Sequence, residues 1–124
     1  MTDKTAITRQ YVTLKHTTPK GIHRDFMLEF GEILATWRIE IGPEKLPDRP
    51  AAAEKIFDHP KKFLSYEGPV NNGTGSVVRE DKGVYKLISE SDGRLEIEIS
   101  AEAVSGKFLL ERISGSQWKF FKSL

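Results

Sequence analysis

The 124-residue chain holds three histidines, His16, His23 and His59, and two of them lie in a short interval that also holds a carboxylate. His23 and Asp25 stand two positions apart in His23-Arg24-Asp25. If an extended strand runs through both, they project from one face, roughly 6–7 Å apart at the backbone. Side chains at that separation can converge on one cation. His16 comes earlier, across a stretch that contains Pro19 and Gly21. A hairpin-like return there would bring His16 alongside and complete a set of two imidazoles and one carboxylate. Such a set suits Mn²⁺, Fe²⁺ or Zn²⁺ with positions left open for water or substrate. The same histidines also read as surface or hydrogen-bonded groups that bind nothing, and spacing alone does not separate these readings.

Other chemistries are closed off or weakly signalled. The chain has no cysteine, which excludes disulfides, thiolate nucleophiles, Cys-ligated zinc and iron–sulfur clusters. Asn72-Gly-Thr-Gly-Ser76 has the glycines of a phosphate cradle. It lacks the Lys-Ser/Thr of a P-loop and a following helix, so it reads as a plain loop. Lys61, Lys62, Lys119 and Lys122 are solvated charges unless folding sets them on one face. No nucleophile elbow, His-Glu-x-x-His helix or EF-hand loop is present.

The elements that must position these residues are strands. Period-two alternation marks residues 10–15, 24–30, 33–39, 76–79, 84–88, 95–100, 107–113 and 118–122. Phe26, Leu28 and Phe30 share one face of their segment, opposite His23 and Asp25. Gly31-Glu32 suits a type II′ hairpin turn, and Asp81-Lys-Gly83, Asp92-Gly93 and Ser114-Gly-Ser116 carry turn chemistry. Trp37 and Trp118, in alternating strands, read as core. The exception is the span 41–63, which holds four of the six prolines. Within it Ala51-Ala-Ala-Glu-Lys-Ile-Phe57 has helical propensity, although its Ile56-Phe57 end could enter a strand. The pattern predicts an all-β domain over residues 1–124, a small closed or partly closed barrel of about eight strands with one or two short helices.

Composition agrees with a single globular unit. Hydrophobic residues make up 38% and charged residues 30%, which argues against intrinsic disorder. Nineteen basic and eighteen acidic residues leave a net charge of +1, so any nucleic-acid surface depends on charge segregated by folding. The N-terminus lacks an apolar signal region and no stretch reaches the ~18 apolar residues of a membrane span. A soluble cytoplasmic protein is the expectation.

The run Lys15-His16-Thr-Thr-Pro-Lys-Gly-Ile-His23-Arg-Asp25-Phe-Met-Leu-Glu29 resembles the signature of the DNA ligase D 3′-phosphoesterase domain family. The likeness continues through the hairpin ending at Trp37, Gly42-Pro43, Asp58-His59-Pro60, Glu67-Gly68, and the last two strand segments. It covers about Arg9 to Lys122. The resemblance implies a small β-barrel that trims DNA 3′ ends in end-joining repair, removing a 3′-terminal phosphate or ribonucleotide with Mn²⁺; Zn²⁺ or another divalent metal is the substitute. Carried over by position, His16, His23 and Asp25 match metal ligands, and His59 matches a histidine on the scissile phosphate. His59 and His23 are thus the implied catalytic residues, with His59 and Arg49 contacting substrate. Nucleic-acid 3′ ends are the implied partners, together with a ligase or polymerase of an end-joining system, and no membrane.

The chain also departs from the family pattern. Met27 stands where the family strand carries a phosphate-binding Arg, and Phe63 where it carries a Tyr. A second phosphate-binding Arg aligns near Ala51, with Arg49 able to substitute if the loop shifts. The His16-to-His23 interval is one residue longer than usual, and only fifteen residues precede His16, where members have a longer extension. An Arg fork makes paired charge-assisted bonds that Met cannot. The alternative reading is therefore a catalytically weak or inactive module that binds DNA ends or a protein on the same barrel.

Overall fold

The computed structural model describes residues 8–46 and 49–123. Nine strands form one sheet: β1 (Arg9–Thr18), β2 (Gly21–Phe30), β3 (Ile33–Ile39), β4 (Ala51–Pro60), β5 (Gly68–Val70), β6 (Gly75–Ser91), β7 (Arg94–Ala101), β8 (Ser105–Ser114) and β9 (Gln117–Lys122). The order is β1-β2-β3-β4-β9-β8-β7-β6-β5, and β1 also pairs with β6. That extra pairing closes eight antiparallel strands into a barrel and leaves β5 as an addition on the β6 edge. Closure removes the exposed edges that an open sheet would present. Among the described residues the only helical elements are two 3-10 turns, Pro43–Lys45 and Lys61–Leu64, and no helix is long and apolar enough to cross a membrane.

The barrel interior is filled from every wall. Tyr11, Phe26, Leu28, Trp37, Tyr85, Ile97, Ile99, Phe108, Leu110 and Phe120 form one buried cluster. Phe26 meets Tyr11, Trp37 and Phe120 at ring separations of 5.4, 6.4 and 4.9 Å. Gly31 takes φ +60° at the first turn position between β2 and β3, as a type II′ turn requires.

The β1–β2–β3 wall is buried on its outer face as well. There Val12, Leu14, Met27 and Leu34, with Val77 of the neighbouring β6, make a second apolar cluster, covered by Phe63, Leu64, Tyr66 and Val70. These covering residues belong to the Lys61–Leu64 turn, to β5 and to the link between them. One wall thus separates two cores, and period-two alternation assigns each residue to one of them.

Two expectations from sequence are corrected. Residues 51–57 are not helical but form most of β4, paired with β3 on one side and β9 on the other. Helix propensity differs by under ~1 kcal/mol per residue, and hydrogen bonding along both edges of a strand overrides it. Asp81-Lys-Gly83 is not a turn. Segments 76–79 and 84–88 are one strand, β6, bent where the register with β1 shifts between Thr13 and Leu14. Glu80 is the unpaired extra residue of that bulge. Asp81 is buried and accepts bonds from Tyr11 Oη at 3.1 Å and from the Lys82 and Ala103 amides at 3.0 and 2.7 Å. Burial, most of all, and the charge of Asp81 raise the Tyr11 pKa, against a hydrogen bond with Thr13 that lowers it.

Gly83 is held between Tyr11 on β1 and Ala101 on β7. A Cβ there would run into the Ser100 carbonyl oxygen and the Ala101 Cα, backbone atoms that cannot swing aside. Gly83→Ala should destabilise the barrel by about 2 kcal/mol or more, read as a lower urea midpoint with unchanged m-value. A midpoint equal to the wild type would show that the β1–β6–β7 packing is looser than described.

Candidate metal centre

The centre is built by the β1–β2 hairpin. Thr18 pairs with Gly21 around the Pro19-Lys20 turn, and Thr18 Oγ donates to the Gly21 carbonyl at 3.0 Å. That turn fixes a register in which His16 lies directly opposite His23. Their rings meet edge to face with centroids 4.6 Å apart. Asp25, on the same face of β2, is nearly fully buried and reaches both: Oδ2 is 3.3 Å from His16 Nδ1 and Oδ1 is 3.3 Å from His23 Nε2. The donor atoms of the three residues all lie within 4.8 Å of one another.

The donor set fits a divalent cation on its own chemistry. Among the described residues, both nitrogens of His16, Nε2 of His23 and Oδ1 of Asp25 are buried without a hydrogen-bond partner. Four orphaned polar atoms in one place are costly unless something engages them. A cation at their centre would take lone pairs from two neutral imidazoles and a carboxylate. Space for the His16 ring comes from Gly75, where a Cβ would stand 3.1 Å from His16 Nε2. Gly75, the first residue of β6, therefore serves the site by omitting a side chain.

His59 joins the site through a second bulge. Leu34 pairs with His59 and Thr36 with Ile56, so β4 carries one extra residue across that interval. The extra residue reverses the alternation, and His59 faces outward with Ile56 although their numbers differ by an odd count. His59 Nδ1 lies 2.9 Å from Thr36 Oγ and 3.1 Å from the Phe57 carbonyl. Thr36 Oγ donates to the Leu34 carbonyl at 3.0 Å, and a carbonyl can only accept. The proton therefore sits on Nδ1, and Nε2 is the free nitrogen. Burial lowers the His59 pKa below 6.5, against the opposing charge of Asp25. Burial likewise lowers His23; Asp25 opposes this, and the charges of Arg38 and His16 add to it.

Two adjoining cavities open here. One, of about 310 Å³, is bordered by His16, Asp25, Arg38, His59 and Phe63; the other, of about 550 Å³, by His16, His23, Arg38 and the β1–β2 turn. Phe63 stands edge-on to His59 at 5.5 Å. Met27 shares the outer face with His23 and Asp25, yet it is sealed within the second apolar cluster and lines neither cavity. Arg49 is exposed in the bend before β4 and also lines neither. The structure thus gathers His16, His23, Asp25 and His59 and leaves Arg49 outside. Arg38, which borders both cavities, was not singled out from sequence. Its signal is a lone charged residue in the otherwise uncharged segment Ile33–Ile39.

Comparison with known proteins matches residues 14–112 to the model of the DNA Ligase D 3′-phosphoesterase domain family. The chain is also similar to the multifunctional non-homologous end joining protein LigD of Pseudomonas aeruginosa, at 29% identity over 133 residues. That match covers 98% of this chain and 16% of the relative, so the chain spans about a sixth of the length of the curated protein it matches.

The depressed histidines set a direction for stability against pH. Where the folded pKa is lower than the unfolded one, the unfolded chain binds more protons, and stability rises with pH through that window. Stability should be full above pH 6.5 and fall as pH drops below it, because 6.5 is the unperturbed value for His23 and His59. Urea unfolding in metal-free buffer at about pH 7.5 and 5.5 checks this. His59→Gln should shrink the difference between the two, and a wild type with no acid loss would show that these imidazoles are not desolvated.

Proposed function

Because this chain belongs to the DNA ligase D 3′-phosphoesterase domain family, we propose that it hydrolyses phosphoester bonds at DNA 3′ ends during end joining. The observation that carries the reading is the outward cluster of His16, His23 and Asp25, unsatisfied and beside a cavity that His59 borders. His16, His23 and Asp25 would hold a divalent cation, Mn²⁺ first and Zn²⁺ as the substitute. Bound there, the cation would polarise a phosphoryl oxygen and lower the pKa of water.

The protein's own groups do the rest. Asp25 orients both imidazoles by lying between them. His59, neutral and held by Thr36 and the Phe57 carbonyl, offers Nε2 as a proton acceptor. It takes a proton from the attacking water as the new phosphorus–oxygen bond forms. The 3′ oxygen leaves on the opposite side of phosphorus as the old bond breaks and takes its proton from solvent, so His59 serves as the general base. The apolar cover of Phe63, Leu64 and Tyr66 lies against the adjoining cluster and limits competing water near the charges.

A binding module on the same barrel is the second reading. It is favoured by Met27, whose enclosure in an apolar cluster leaves β2 without a cation on the site face. Turnover separates the two.

Two measurements test the proposal. Excess Mn²⁺ should raise the melting temperature, by mass action about 2.7 kcal/mol of stability at a hundredfold excess over Kd. A His16→Ala/His23→Ala variant should show no such rise; an equal rise in that variant would remove the metal from this site. Incubation of a 3′-phosphorylated oligonucleotide with Mn²⁺ should release phosphate. His59→Gln should slow release about a hundredfold or more, the usual scale of a general acid–base contribution. No release by a folded, metal-loaded wild type would put the binding module ahead.

A further inference from the structure

Arg38 is the one charged residue of β3. In register it stands opposite Asp25 on β2 and opposite Glu54 on β4. Residues paired this way share a face and are close enough to interact. Asp25 nevertheless turns its oxygens to His16 and His23. Arg38 Nε is buried and, among the described residues, has no hydrogen-bond partner.

A guanidinium keeps its charge in a protein and carries five donors with no acceptor. Leaving a buried donor of such a group unpaired is costly. What is missing is an acceptor, and the guanidinium's position says where it would sit. Arg38 borders both cavities, where they also share His16 and Asn71. Among the described residues lining the smaller cavity it is the only permanent cation, and the rest of that lining is largely apolar apart from Asp25, His16, His59 and Asn71.

We propose that Arg38 binds the anionic oxygens of the substrate, gripping a phosphate lodged where the two cavities meet. The inference rests on the phosphoesterase reading and deepens it by naming the residue that recognises the phosphate. A planar fork matches two phosphate oxygens at once, which an ammonium does not. The half-buried setting of Arg38 strengthens that pairing, since water competes less there than at a fully exposed side chain. The cation thus comes from β3, one strand over from the apolar Met27 position.

The test uses the full chain saturated with Mn²⁺ and inorganic phosphate as the probe. Calorimetry should show phosphate binding to the wild type. Arg38→Gln should weaken it about tenfold or more, with Mn²⁺ affinity unchanged, and Arg38→Lys should fall between the two. On 3′-phosphorylated DNA, Arg38→Gln should raise KM. Phosphate binding by Arg38→Gln equal to the wild type would overturn the assignment, as would a wild type that binds no phosphate. So would a joint loss of Mn²⁺ and phosphate in both variants, which would make Arg38 a support for the metal ligands. Arg38-dependent phosphate binding without hydrolysis of any 3′ end would sustain the assignment while removing the phosphoesterase reading.

Discussion

The antiparallel register that sets His16 opposite His23 governs both faces of the β1–β2 wall. A slip of β2 by one residue would exchange the two faces of that strand completely. With β1 held in place, Phe26 and Leu28 of β2 would leave the barrel core, and His23 and Asp25 would enter it. Because both faces are buried, such a slip would strand polar groups inside and apolar ones at the cavities, with a penalty on each side. His16, His23 and Asp25 are thus placed by the same force that packs the barrel. The Pro19-Lys20 turn, anchored by Thr18, supplies the local geometry that starts the register.

This explains which parts of the protein are legible from sequence. Alternation in β2 separates Phe26, Leu28 and Phe30 from His23 and Asp25 without any structural knowledge. The barrel follows from many short alternating segments with turns between them. What alternation does not reveal is a bulge, because one inserted residue changes parity and leaves no compositional mark. His59 reaches the site only through such an insertion in β4, and β6 bends through another at Glu80. The Ala-rich start of β4 misleads for a different reason. Its local preference is helical, and the pairing with β3 and β9 that overrules it is contributed by residues far away in the chain.

Electrostatics at the site run in one direction. A single buried carboxylate, Asp25, faces two imidazoles, with a guanidinium beside them and a third imidazole across the cavity. Burial keeps His23 and His59 from gaining protons readily. Neutral imidazoles are what metal ligation and proton acceptance both require. Protonated ones would repel a cation and could not accept a proton. The apolar cover built by the Lys61–Leu64 turn and β5 therefore has an electrostatic consequence beyond packing, since Phe63 stands against His59 and burial lowers the His59 pKa.

A functional patch on a sheet is tiled by several strands, so its composition is a property of the face and not of one strand. Met27 pairs with Thr36, and Arg38 lies two residues along β3, opposite Asp25. Met27 and Arg38 are thus diagonal neighbours on one surface, a spacing of ~7–8 Å that a long side chain spans. At the Met27 position the chain turns an apolar group into a cluster that already contains Val12, Leu34 and Val77. An arginine there would need to extend out of that cluster to find a partner, whereas Arg38 already opens onto both cavities. With the cation on β3, the apolar cluster under the site stays continuous and the charge sits at its rim. A strand-by-strand reading of the motif registers only the missing charge on β2. The folded face keeps a positive group within reach of the same cavity.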